Sequence, residues 1–172
     1  MAKKKSNFLN KPEFECARGK VISQTAEILA QLHSIPAKEF SFLNQVPDSV
    51  DPLSAQIKYY DGYGQPHPAL EYAYRWLLIN RPKVSSRQAS LIHGDYRNGN
   101  LMVHPERGIR AVLDWECSFS GDFHADLGWF CMRSWRRERS EMHAGGFGTR
   151  QELYEAYQRV GGREVNHEMA RW

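Results

Sequence analysis

Apolar residues recur at helical spacing between Val21 and His33, where Ile22, Ala26, Leu29 and His33 share one face and Ile28 and Leu32 widen it. Pro36 ends that helix. Residues 36–69 carry Pro36, Pro47, Pro52, Pro66 and Pro68, so a turn-rich stretch with no long element is expected there. Pro68 suits the first turn of a second helix, Ala69–Asn80, which closes before Pro82 with Leu70, Ala73, Leu77 and Leu78 inward. Residues 81–90 form a polar loop.

Period and residue type then change. Leu91-Ile92, Leu101-Met102-Val103 and Ile109 to Leu113 are short apolar runs that predict strands. His104-Pro105-Glu106-Arg107-Gly108 joins the last two as a hairpin loop, with Gly108 free to take positive φ. From Asp126 the pattern turns helical again, over 127–137 and 151–160. Gly145-Gly146-Phe147-Gly148 is expected to be a mobile loop between those helices. The fold class is α+β, mainly α, around one small β-hairpin.

The length of 172 residues allows one domain with a buried core. Hydrophobic residues at 41% and charged residues at 25% exclude a disordered tail, a collagen-like repeat and a coiled coil. No apolar run nears the roughly 20 residues of a membrane helix, and no secretory signal is recognisable, so no membrane association is expected. The net charge of +3 is concentrated in the first residues, where Lys3, Lys4, Lys5, Lys11, Arg18 and Lys20 face only Glu13 and Glu15. Residues 1–14 therefore read as a solvated basic arm on a body spanning 15–172, and the charge gives no case for nucleic acid as a partner. Cys16, Cys117 and Cys131 are widely spaced and odd in number, which suits free thiols in a cytoplasmic protein.

The chemistry gathers in residues 91–116. Asp95, Asn100 and Asp114 lie at or beside the ends of predicted strands, and a hairpin brings Asn100 and Asp114 together across fourteen positions. One carboxylate and one amide oxygen make a hard donor set suited to Mg²⁺, which takes phosphate oxygens and water for the rest of its shell. Asp95, five residues before Asn100, can face such a metal without binding it, where a base for an incoming hydroxyl is needed.

His93-x-Asp95-x4-Asn100 followed by Asp114 resembles the catalytic loop and metal aspartate of the protein-kinase-like fold. His-Gly-Asp and Asp-Trp-Glu give it the character of the aminoglycoside/choline-kinase-like phosphotransferases. Gly121-Asp122-Phe123-His124-Ala125-Asp126-Leu127-Gly128 is similar to a further segment of that family, with Phe123 in place of its usual proline. The resemblance implies the C-terminal lobe of such a fold, ATP and Mg²⁺ as cofactors, and a small-molecule hydroxyl as substrate. It implies Asp95 as general base, Asn100 and Asp114 as metal and nucleotide ligands, and Arg97 as a cation reaching the transferring phosphate. His93 becomes an anchor of the catalytic loop, and Asp126 a buried acceptor for that loop's backbone N–H groups.

A kinase-like enzyme also needs a strand-borne lysine, a glutamate to pair it and a turn over the phosphates. None is recognisable here, and Gly62-Tyr63-Gly64 lacks flanking strands. The N-terminal lobe is therefore expected to be absent, the chain to be an incomplete fragment inactive alone, and the bared surface to favour self-association. Two rival readings follow from the same residues. One is a non-catalytic binding or oligomerisation module. The other is a metal-dependent hydrolase on His93, Asp95, Asp114, Asp122, His124 and Asp126. The arginines at 133, 136, 137 and 139 read as a solvated basic face, Tyr72, Tyr74 and Trp76 as packing residues, and His33 as a half-buried helix-end residue.

Overall fold

A computed structural model describes residues 11–43, 52–82, 89–136 and 139–172. Lys3–Lys5 and Arg137 lie outside them. Helical structure begins with a 3-10 turn at Pro12–Phe14 and α1 (Glu15–Arg18), followed by α2 (Val21–Ser34). Then come α3 (Pro52–Gly62), α4 (Pro68–Ile79), β1 (Ser90–Ile92), β2 (Leu101–His104), β3 (Gly108–Val112) and β4 (Phe119–Gly121). α5 (His124–Phe130), α6 (Arg133–Arg136) and α7 (Arg150–Arg159) complete the order.

The apolar face of α2 forms the middle of the core. Val21, Ala26, Leu29 and Leu32 are buried against Leu153, Tyr154 and Tyr157 of α7 and against Ile92 and Ile109 from the strands. Truncating one such leucine to alanine typically costs about 2–5 kcal/mol. α7 starts at a capping box, in which the Glu152 amide donates to Thr149 Oγ1 at 3.2 Å and the Thr149 amide to Glu152 Oε2 at 2.7 Å. α5 buries Leu127 and Phe130 in the same core.

Two antiparallel pairs stand beside these helices. β1 pairs with β4 in the register Leu91 to Ser120, and β2 pairs with β3 from Leu101–Val112 to His104–Gly108, with a bulge between Met102 and Val103. Gln24 of α2 fixes the tip of the second pair. Its Oε1 accepts the Ile109 N–H at 2.7 Å, and its Nε2 donates to the Arg107 carbonyl at 2.9 Å. Gly108 takes φ +78°, and a Cβ there would strike the Gln24 carboxamide.

Several expectations are corrected. The stretch 36–69 contains an eleven-residue helix, α3, because Pro52 occupies its first turn, where a missing N–H costs nothing. α4 has no buried residue: Leu70 and Leu78 are exposed, as are Tyr72 and Trp76. It meets α3 through Tyr60 and Tyr74, with ring centroids 5.5 Å apart, and leaves the face expected to be inner open. The expected helix over 127–137 is divided at Cys131-Met132 into α5 and α6. Gly145, Gly146 and Gly148, expected in a mobile loop, are buried and hydrogen-bonded into the body. The Ala144 N–H donates to the Gly148 carbonyl at 2.7 Å, and the Gly145 N–H to that of Phe130 at 3.0 Å. Arg136 is half-buried, so the basic residues near α6 are not simply a solvated face.

Candidate functional site

β1 delivers the chain into residues 93–100, and β2 leaves directly after Asn100. The crossing begins at Gly94, whose φ is +81° and whose missing Cβ leaves room for the Cys117 carbonyl. A side chain there would collide with backbone, which explains the His-Gly-Asp order.

Asp126 holds this turn from below. Its fully buried carboxylate accepts the His93 N–H at 2.8 Å on Oδ2 and the Gly94 N–H at 3.0 Å on Oδ1. His33 Nε2 lies 3.2 Å from the same Oδ2, and His33 Nδ1 lies 3.0 Å from Tyr157 Oη. Burial pushes the Tyr157 phenol up to about 12, so it stays protonated and donates to His33. His33 then offers its Nε2–H to Asp126. At 2% exposure it is a buried bridge from α2 to α5 and α7, not a half-buried helix end.

His93 is a second anchor. The Asp95 N–H donates to its Nδ1 at 3.2 Å, which leaves the proton on Nε2 to meet the Leu113 carbonyl at 3.1 Å. Trp115 lies over its ring at 4.5 Å between centroids. One imidazole thus ties the loop bearing Asp95 to the strand end bearing Asp114.

Among the described residues, three side chains donate to the Asp95 carboxylate. Trp129 Nε1 reaches Oδ1 at 2.8 Å, Asn100 Nδ2 reaches Oδ2 at 2.8 Å, and Arg97 Nε lies 3.1 and 3.0 Å from the two oxygens. Burial alone would raise the pKa of this group, but the bonds from Trp129, Arg97 and Asn100 and the Arg97 charge outweigh it and leave it below the usual aspartate value. Arg97 also sits over the Trp135 ring at 5.1 Å. Asn98 Nδ2 fastens the loop to the Trp135 and Gly145 carbonyls at 3.0 and 3.1 Å.

The backbone brings Asn100 beside the residue preceding Asp114, because the Leu113 N–H donates to the Asn100 carbonyl at 2.8 Å. Asn100 is buried, and its Nδ2 is committed to Asp95, so its Oδ1 is the atom left to act as a ligand. Asp114 is exposed, and its carboxylate takes no hydrogen bond among the described residues. It is also the sole non-glycine described residue with positive φ, at φ 71° and ψ 61°. Such a conformation costs on the order of 1–3 kcal/mol and is typically kept where function needs it. An amide oxygen and a free carboxylate at adjoining strand ends fit a hard divalent cation.

The hydrolase constellation does not assemble. No three His, Cys, Asp or Glu side chains among the described residues are placed to share a metal. Asp126 is occupied by backbone N–H groups, and Asp122 Oδ1 accepts from His124 Nδ1 at 2.6 Å while His124 Nε2 accepts the Asn166 N–H. Sequence reasoning missed Trp129, Asn98 and His33 as parts of the site. The spacing of Trp129, one residue after the Asp-Leu-Gly segment, was the available signal for the first.

The phosphotransferase enzyme family matches residues 10–163. Human acyl-CoA dehydrogenase family member 11 is 30% identical over 168 residues, which cover 90% of this chain and 21% of that protein. Macrolide 2'-phosphotransferase type I superposes with a TM-score of 0.65 at 16% identity, over 93% of this chain and 50% of that one. The spectinomycin phosphotransferase APH(9)-Ia, solved with ADP and spectinomycin, gives a TM-score of 0.56 at 17% identity, over 91% and 50%. The chain spans about half the length of these structures and about a fifth of the human protein.

Proposed function

The chain belongs to the phosphotransferase enzyme family, and from that premise we propose that it carries the catalytic loop of a kinase acting on a small-molecule hydroxyl, within the C-terminal lobe of a kinase-like fold. The observation that supports this most is the pairing of a fully hydrogen-bonded Asp95 with an open Asn100 Oδ1 and Asp114 on one hairpin.

In this reading the acceptor hydroxyl approaches Asp95, which is ionised throughout the neutral range because its pKa is lowered. The hydroxyl oxygen forms a bond to the γ-phosphorus of ATP as the bond from that phosphorus to the bridging oxygen breaks, and the hydroxyl proton passes to Asp95. A base of lowered pKa suits a loose transition state, which asks for orientation of the nucleophile more than for early proton removal. Asn100 and Asp114 would hold Mg²⁺, which neutralises phosphate oxygens when bound. Arg97, held 3.0 Å from Asp95, is placed to turn towards the transferred group and offset its charge. His93 and Asp126 keep the loop in register.

The test is a phosphorus NMR titration of ATP and Mg²⁺ with the 172-residue chain. The expected result is a Mg²⁺-dependent shift of the β and γ signals, abolished by Asp114→Ala and retained by Asp95→Asn. No shift would overturn the reading. The chain by itself is expected to bind weakly and turn over no ATP, because a kinase closes its adenine site between two lobes. Steady ATP consumption that disappears in Asp95→Ala would contradict that part.

A further inference from the structure

A cavity of about 530 Å³ opens behind the catalytic loop, between α5, α6, the start of α7 and residues 169–172. That is a volume typical of small-molecule sites. Its walls are apolar where Trp129, Met132, Met169 and Trp172 face it. Its polar character comes from four arginines, Arg133, Arg136, Arg150 and Arg171. Among the described residues, the side-chain carboxylate that lines it, Asp122, is drawn to His124, whose backbone N–H and Nδ1 both lie within 3.0 Å of its Oδ1.

Among the described residues, no Asp or Glu side chain forms an ion pair with these arginines. Arg136 Nη2 donates to the Cys131 carbonyl at 2.9 Å, and Arg150 Nη2 reaches the same oxygen at 3.5 Å. The Nε of each is shut off from solvent and has no hydrogen-bond partner among the described residues. Burial and then the neighbouring charges of Arg150 and Arg133 depress the pKa of Arg136, and the His143 imidazole is held down by burial and then by Arg136 and Arg150. Crowded guanidinium groups with unmet donors stabilise the fold only when something negative joins them.

We propose that this cavity binds an oxyanion carried on an apolar body, with Arg136 and Arg150 as the recognising groups and Arg133 and Arg171 reinforcing them. The indole of Trp129 lines the cavity and donates from Nε1 to Asp95, so one side chain separates the bound molecule from the base. The occupant is therefore assigned as the acceptor of the transfer reaction, or the part of it that carries the anion. That last step rests on the phosphotransferase reading; the anion site itself does not.

The experiment titrates the chain, without nucleotide, with octanoate, octyl phosphate and octyltrimethylammonium, observed on the indole signals of Trp129 and Trp172 and the methyl of Met132. At least one anionic probe should bind and shift those three signals, and Arg136→Gln or Arg150→Gln should weaken it about tenfold, the loss of one charge-assisted hydrogen bond. Which anion binds tighter distinguishes a carboxylate from a phosphate. If either variant fails to fold, Arg133→Gln and Arg171→Gln carry the same expectation in direction. Equal or tighter binding of the ammonium probe, shifts confined to other residues, or no effect of any arginine substitution would overturn the proposal. Anion binding in the cavity without Mg-ATP binding would leave the site and remove its catalytic assignment. Mg-ATP binding without anion binding would overturn the anion site and leave the phosphotransferase reading standing.

Discussion

The two halves of the hairpin site are built on opposite principles. Around Asp95 the protein supplies partners for both carboxylate oxygens, and the backbone beneath is fastened by Asp126, His93 and His33. At Asp114 the carboxylate is exposed, and its backbone is held in the left-handed region. On the proposed reading, the half that would meet a neutral hydroxyl is finished by folding, since a weak nucleophile needs orientation more than charge. The half that would meet a polyanion and its cation is left open, since such a ligand brings the missing charge. Substitutions beneath Asp95 should therefore cost stability, and substitutions at Asp114 should cost binding with little loss of fold.

The sharpest way to break that contrast is at the base. Wherever phosphoryl transfer is assayed, Asp95→Asn should lower its rate by about a thousandfold, the scale of general-base catalysis, while phosphorus NMR still shows Mg-ATP bound. An unchanged rate would remove Asp95 from the chemistry. Next comes Asp126→Ala, which strands the buried N–H groups of His93 and Gly94 together with His33. Urea unfolding should report a loss of about 3 kcal/mol. A loss near zero would mean that the loop is held elsewhere.

Asp114→Gly sharpens the comparison from the other side. Glycine tolerates the left-handed conformation, so the melting temperature should hold or rise by a gain of at most about 1 kcal/mol while Mg-ATP binding disappears. Destabilisation would show that Asp114 is a structural residue. The smallest effect concerns pH. A carboxylate whose folded pKa lies below its unfolded one adds stability that is present above the unfolded value and lost as pH falls through the folded value. The side-chain carbon signal of Asp95 should titrate below the ordinary aspartate midpoint near 3.9, and Trp129→Phe should move it upward by removing one donor. A midpoint unmoved by that change would deny the indole a role at the base.

Much of this arrangement is legible in the residues. α2 shows in its 3.6-residue period, β1, β2 and β3 in their short apolar runs, and the candidate site in His93-x-Asp95-x4-Asn100 with Asp114, whereas β4 at Phe119–Gly121 was not expected. What escaped was set by tertiary contacts. Pro52 starts a helix in a stretch whose prolines read as breakers, because its position within the first turn decides the outcome. His33 looks like any helix-end histidine until α7 brings Tyr157 and α5 brings Asp126 to its two nitrogens. The turn Gly145–Gly148 looks mobile by composition, yet it is packed because the missing side chains let it close against Phe130. Trp129 follows the Asp-Leu-Gly segment, but its bond to Asp95 depends on how α5 is seated.

The most direct test of the open half replaces Mg²⁺ with paramagnetic Mn²⁺ in the presence of ATP and maps which backbone signals of the chain broaden. The account predicts selective broadening at Asn100 and Asp114, weaker effects at Asp95, and loss of all three in Asp114→Ala. Broadening centred elsewhere, or surviving that substitution unchanged, would contradict it.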